Sequence, residues 1–218
     1  MTSVLIIGGG GMIGQKLASS FSTNDSLTLL DIGFPNKNQS NARKIIGSVG
    51  DPEIIENSLK DLPEVIYYLA SVVSGEAEAD FSKGWDVNIH AFWAFLSLVK
   101  KLNEKSQGQY KPKIIFTSSI AVFGSPFPNQ IPDDFIAAPR TSYGAQKASC
   151  ELMLNDFSRK GFCEGLAIRL PTICVRPGKP NLAASSFFSG IIREPLSGIN
   201  AQLPVSTAVR HWHASPRS

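Results

Sequence analysis

The segment LIIGGGGMIG, Leu5 to Gly14, constrains the fold of this 218-residue chain more than any other stretch. Glycine loses more backbone freedom on folding than any other residue. Four glycines directly after an apolar run are therefore costly unless the backbone must turn tightly or be approached closely. Gly8, Gly11 and Gly14 recur at three-residue intervals, and Met12 to Phe21 carries Ile13, Leu17 and Phe21 at helical spacing. An apolar strand, a glycine turn and a helix, in that order, begin a unit whose turn can cradle a pyrophosphate. The start of the helix, with its free N–H groups and positive dipole end, then faces the phosphates. That reading puts Met12 and Ile13 at the cofactor beside the three glycines. A merely flexible glycine turn is the alternative.

The rest of the chain repeats the alternation of strand and helix. Ser3–Ile7, Ser26–Ile32, Lys44–Val49, the run from Glu64, the run PKIIFTSSIAVFG and EGLAIRLPTI read as six strands. Helices are expected at about Lys83–Leu102, carrying Trp85, Ile89, Phe92, Trp93 and Leu96, and at about Tyr143–Arg159. Alternation of this kind predicts an α/β fold: a Rossmann-like doubly wound parallel sheet with helices on both faces. Ligands in such sheets bind beyond the carboxyl ends of the strands. Asp31 closes the second strand, where a carboxylate accepts hydrogen bonds from ribose hydroxyls and repels a 2′-phosphate, so NAD is expected rather than NADP. Asp51, after the third strand, is placed to meet the adenine edge. It is equally suited to cap the helix that Pro52 opens.

Tyr143 and Lys147 stand four apart, a spacing that puts them on one helix face. A nearby ammonium favours the phenolate of a tyrosine whose ordinary pKa is about 10. Ser119, at the end of the fifth strand, is placed to bind the substrate oxygen against Tyr143. Separately, these residues also read as a solvent-facing helix pair and a polar strand end. Ser74, Arg176 and Lys179 are candidate donors to a substrate carboxylate, with a solvated loop charge the alternative for Arg176.

Composition narrows the classes further. The net charge is +3 with no Lys/Arg block, which argues against a nucleic-acid partner. Val65–Val73 is too short to span a bilayer, and no basic segment precedes the N-terminal apolar run. Three cysteines without a CxxC pair point to reduced thiols and a cytoplasmic setting. His211 and His213, with no acid or cysteine beside them, make a poor zinc pattern, and no metal is expected.

The ordered set of motifs resembles the extended short-chain dehydrogenase/reductases, a family that includes nucleotide-sugar epimerases and dehydratases. Gly8, Gly11 and Gly14 match its glycine motif, with Ile7 where threonine is usual. Ser119, Tyr143 and Lys147 match its catalytic set, and Asn88 matches its helix asparagine. RLPTI, with Arg169 and Pro171, matches its sixth-strand segment. YLASVV, with Leu69, Ala70 and Ser71, takes the place of the loop lining the nicotinamide ribose. The segment NIHAFW replaces the smaller Asn-x-x-Gly-Thr pattern, so the helix is expected to pack differently.

SVVSGEAEADF, RLPTICVRPGKPN and VRHWHASPRS are similar to the sugar-acid dehydrogenases of the family. That resemblance implies oxidation of the C2 hydroxyl of a four-carbon sugar acid, with Tyr143 as base and Ser119 and Tyr143 at the substrate; by their position near strand ends, Ser74 and Arg176 join them there. It also implies an NAD-binding domain over residues 1–175 and a partial substrate lobe over 176–218, incomplete because family chains continue further. A homodimer through a four-helix bundle is a family expectation. The alternatives are an epimerase or dehydratase that retains its NAD, and an inactive truncated homologue that only binds dinucleotide.

Overall fold

The computed structural model describes residues 2–35, 42–176 and 182–217; Lys179 lies outside them. Six parallel strands form the main sheet: β1 (Ser3–Ile7), β2 (Ser26–Asp31), β3 (Arg43–Ile46), β4 (Val65–Tyr68), β5 (Lys113–Ser119) and β6 (Glu164–Leu170). Their order is β3-β2-β1-β4-β5-β6. The chain moves outward from β1 to β3, then returns to place β4 on the other side of β1. A crevice opens where the strand order reverses, above the ends of β1 and β4.

Strand side chains alternate between the two faces. Leu5 and Ile7 of β1 share one core with Ile66, Tyr68, Ile114 and Phe116, under α2 (Pro52–Leu59), α5 (Ala91–Lys105) and α6 (Ser142–Arg159). Val4 and Ile6 point the other way, toward Ala18 of α1 (Met12–Ala18) and Leu29. Two buried faces explain why the strands are nearly continuous apolar runs. Tyr68, Phe92, Phe95 and Phe116 form an aromatic cluster, with Phe92 and Phe116 centroids 4.7 Å apart.

Three departures from the sequence expectation have physical reasons. First, α1 stops at Ala18, and Phe21 folds back from the following loop onto Tyr67 with centroids 6.0 Å apart. Second, the expected helix Lys83–Leu102 is not uniform. After α3 (Ser74–Ala79), α4 (Phe81–Trp85) runs into a wide π-type turn at Asp86–His90 before α5 begins. NIHAFW straddles that turn and α5, and single π turns favour functional sites. Third, EGLAIRLPTI breaks at Pro171, which has no N–H to donate. Beyond it, β7 (Thr172–Ile173) leaves the main sheet and pairs with β8 (His213–Ala214) in a separate ribbon. α7 (Phe187–Leu196) packs beside this ribbon through Phe188. Among the described residues no helix is long and apolar enough to cross a membrane, and all three cysteines are free thiols.

Candidate active site

The glycine loop is built by close approach. Gly8 has φ +90°, and a Cβ there would lie 2.7 Å from the Ala70 nitrogen. A Cβ on Gly14 would lie 2.2 Å from the Gly8 carbonyl oxygen. Gly10, outside the three-residue spacing, is equally obligatory: its Cβ would fall 2.1 Å from the Gly33 carbonyl oxygen. Gly11 differs. Its Cβ would meet nothing nearer than the Gly8 oxygen at 3.4 Å, so packing alone does not demand glycine. It leaves an open cradle at the start of α1, whose N-cap Gly11 carries no side-chain cap and whose first residues are Met12 and Ile13. A pyrophosphate fits that cradle: the first N–H groups of α1, from Met12, have no intrahelical partner, and no Cβ fills it.

Asp31 ends β2, and its Oδ2 accepts a hydrogen bond from the Gly10 N–H at 2.9 Å. The carboxylate is thereby fixed over the loop. Asp51 caps α2, its Oδ1 accepting from the Glu53 N–H at 3.0 Å with Pro52 in the first turn. The Leu69 and Ala70 N–H groups donate to the Ile7 carbonyl at 2.8 and 3.1 Å, which carries the chain across the crevice.

Ser71 follows. Its Oγ donates toward Val72 O (2.9 Å) and Asn88 Oδ1 (3.1 Å). Asn88, buried in the wide turn, also accepts from the Val72 N–H (2.8 Å) and donates from Nδ2 to Val72 O (3.1 Å) and Gln146 Oε1 (2.7 Å). The helix asparagine therefore pins the Leu69–Val72 loop against α6.

Thr141 caps α6, its Oγ1 accepting from the Gly144 N–H at 3.1 Å. A Cβ on Gly144 would sit 2.2 Å from the Ala121 carbonyl oxygen, so the helix presses on the turn after β5. That contact brings Tyr143 to Ser119. The Ser119 Oγ accepts from the Ala121 N–H at 3.1 Å, which leaves its own hydrogen to donate. Burial raises the Tyr143 pKa above the ordinary tyrosine value, while hydrogen bonding with Ser71, the positive charge of Arg176 and hydrogen bonding with Ser119 act against the rise.

Lys147 is 2% exposed, and burial pushes its pKa down to about 8. Its Nζ donates to Thr117 O at 2.8 Å and stands 4.6 Å from the Phe116 ring centroid and 5.6 Å from that of Tyr143. In the chain by itself, burial thus dominates the phenol, and the relief comes from Ser71, Arg176 and Ser119.

Arg176 is held by α7: its N–H donates to Ser189 Oγ (3.2 Å), and its carbonyl accepts from Arg193 Nη1 (3.0 Å). Ser74 contacts the same region, its Oγ accepting from the Ala184 N–H at 2.9 Å. His211 and His213 flank Phe188, and Trp212 lies 6.0 Å from Phe123. Among the described residues no group of three or more side chains could hold a metal ion.

Sequence reasoning missed Gly10, Gln146 and a pair beneath the site. Glu151 accepts a hydrogen bond from Ser118 Oγ and three from Arg169, Nε to Oε1 at 3.0 Å and to Oε2 at 3.3 Å, and Nη2 to Oε2 at 2.8 Å. The signal for Glu151 was its spacing: it lies four residues after Lys147, on the same face of α6.

Comparisons with known proteins identify the family and the fold. The model of the NAD dependent epimerase/dehydratase family matches residues 4–213. D-erythronate dehydrogenase of Cupriavidus necator is 43% identical, covering 99% of this chain and 69% of that protein. D-erythronate dehydrogenase of Haemophilus influenzae is 41% identical at the same coverages. A crystal structure described as the nucleoside-diphosphate-sugar epimerase from Agrobacterium tumefaciens has a TM-score of 0.88 at 47% identity, covering 99% of this chain and 66% of that one. The chain thus spans about two thirds of the length of these relatives. The match runs from β1 into β8, and the chain belongs to the NAD dependent epimerase/dehydratase family, with NAD as its cofactor.

Proposed function

We propose that the chain is an NAD-dependent dehydrogenase that oxidises the C2 hydroxyl of a four-carbon sugar acid, D-erythronate, to the 2-oxo acid. The observation that carries this is the partly buried phenol of Tyr143, reached by the hydroxyls of Ser119 and Ser71 and by the charge of Arg176, one helical turn from the buried Lys147. The two D-erythronate dehydrogenases supply the substrate class. Gly8, Gly11, Gly14, Met12 and Ile13 hold the pyrophosphate, Asp31 the adenosine ribose, Asp51 the adenine edge, and Leu69, Ala70, Ser71, Asn88, Tyr143 and Lys147 the nicotinamide half. Residues 1–175 form the cofactor domain, and 176–218 contribute to the substrate side through Arg176.

When bound, NAD supplies the hydride acceptor and a positively charged ring beside the phenol. Tyr143 takes the hydroxyl proton. Ser119, whose acceptor side is engaged by Ala121, donates its hydrogen to the oxygen that becomes the carbonyl. Lys147 holds the ribose and lowers the cost of the phenolate. Arg176 pairs with the substrate carboxylate, and Ser74 lies close by. An ammonium and a positive ring together are what the partly buried phenol needs to ionise near neutral pH.

The test is to mix the chain with NAD and D-erythronate and follow NADH absorbance, with Tyr143→Phe as control. NADH from the parent and none from the variant supports both reaction and base; equal rates overturn the base assignment. A second reading, a nucleotide-sugar epimerase, is favoured by the Agrobacterium structure. It predicts interconversion of a nucleotide sugar with no accumulation of NADH. NAD binding with neither outcome identifies a dinucleotide-binding homologue. We also propose a homodimer through the outer faces of α5 and α6, where Trp93 is 53% and Leu152 72% exposed.

A further inference from the structure

Among the three thiols of the described residues, one is accessible and stands beside an imidazole: Cys174, with His213. The Cys174 Sγ lies 3.6 Å from His213 Nδ1. Their spacing is fixed by the ribbon, in which the Cys174 N–H donates to the Ala214 carbonyl at 2.9 Å. The imidazoles are ordered too. His211 Nε2 meets Thr172 Oγ1 at 2.7 Å, and the Phe188 ring stacks on His211 at 4.6 Å and meets His213 edge-on at 4.7 Å. The other two thiols are inert by position. Cys150 and Cys163 are buried, and burial pushes their pKa values up to about 12 and about 11. Cys150 is also engaged with the Asn88 carbonyl at 3.1 Å. Cys174 is partly exposed and His213 exposed. A thiol in reach of both solvent and a proton acceptor is the reactive kind.

We propose that Cys174 and His213 form a thiol–imidazole pair that is modified by hydroperoxides and soft electrophiles, a site distinct from the dehydrogenase chemistry. His213 accepts the thiol proton at Nδ1. The sulfur attacks one oxygen of the peroxide; an S–O bond forms as the O–O bond breaks, and the departing hydroxide leaves as water after taking a proton. Sulfur is oxidised by two electrons to the sulfenic acid, and the peroxide is reduced. The consequence rests on the function proposed above. Cys174 stands two residues before Arg176, and α7 carries both Phe188 over His213 and the Ser189 and Arg193 groups that hold Arg176. An enlarged sulfur at Cys174 therefore disturbs the carboxylate side while the glycine loop stays intact. The KM for the sugar acid rises and NAD affinity does not change.

The test uses the 218-residue chain. It is treated with hydrogen peroxide, trapped with dimedone and mapped by peptide mass spectrometry, with iodoacetamide as a parallel probe. Cys174 should be labelled first, and His213→Gln should slow labelling by about tenfold, whereas His211→Gln leaves the rate near that of the parent. Cys174→Ser should keep its turnover and lose its sensitivity to peroxide. Labelling of Cys150 or Cys163 ahead of Cys174, or equal rates in the parent and His213→Gln, overturns the site. Labelling at Cys174 with an unmoved KM overturns the link to Arg176. A chain without turnover overturns the dehydrogenase reading alone, because adduct mapping needs no substrate.

Discussion

Lys147 is buried and Tyr143 partly buried, and loss of water penalises the charged form of each in opposite directions: the phenol is pushed up and the ammonium down. Tyr143→Phe keeps the ring and its packing but removes the hydroxyl proposed above as the proton acceptor. Turnover should fall roughly a thousandfold while NAD affinity, measured by calorimetry, stays within experimental error. Lys147 carries a pH signature in stability. Its folded pKa of about 8 lies below the ordinary 10.5, so between those values the unfolded chain binds more protons and stability rises with pH. Below pH 8 the penalty for the buried charge is fully present. Lys147→Met removes it, so the variant's advantage in melting temperature should be greatest at pH 7 and shrink as pH rises from 8 toward 10.5. A gap that is constant with pH would show that the ammonium is not the destabilising group.

At the level of elements, the glycine loop separates two jobs. Gly14→Ala forces a Cβ to 2.2 Å from the Gly8 oxygen and should cost about 3 kcal/mol. Gly11→Ala meets only ordinary contact and should leave the melting temperature nearly unchanged, yet weaken NAD binding because the methyl enters the cradle. Beneath the site, Glu151→Gln should lower stability by about 2 kcal/mol, read by urea unfolding, since Arg169 loses its anionic partner. Much of this was legible in the sequence. The strand–turn–helix order, Asp31 at the end of β2, and the four-residue step from Tyr143 to Lys147 are local patterns, and local patterns survive folding. The wide turn at Asp86–His90 was not legible, because it coincides with Asn88 binding both backbone groups of Val72, a contact between residues sixteen apart. Gly10 escaped for the same reason: its steric partner, Gly33, comes from the end of the next strand. Asp51 offered two readings in sequence, and the structure displays the helix cap directly.

For the whole molecule, the exposed aromatic and aliphatic surface on α5 and α6 predicts association. Light scattering coupled to size exclusion should report a dimer, and Leu152→Glu should give a monomer that keeps its secondary structure; a parent that elutes as a monomer would dismiss the bundle. The pairing of β7 with β8, and of Ser74 with Ala184, ties the segment after β6 to the rest of the fold by contacts between distant parts of the chain. The Asp31 carboxylate anchors Gly10 and, in the function proposed above, also binds the adenosine ribose. A substitution that made room for an extra phosphate would strip the loop of that anchor in the same step. A lineage drifting toward another dinucleotide must first pass through a form with a looser loop, so the preference for NAD acts as a ratchet, guarded by stability as well as by charge.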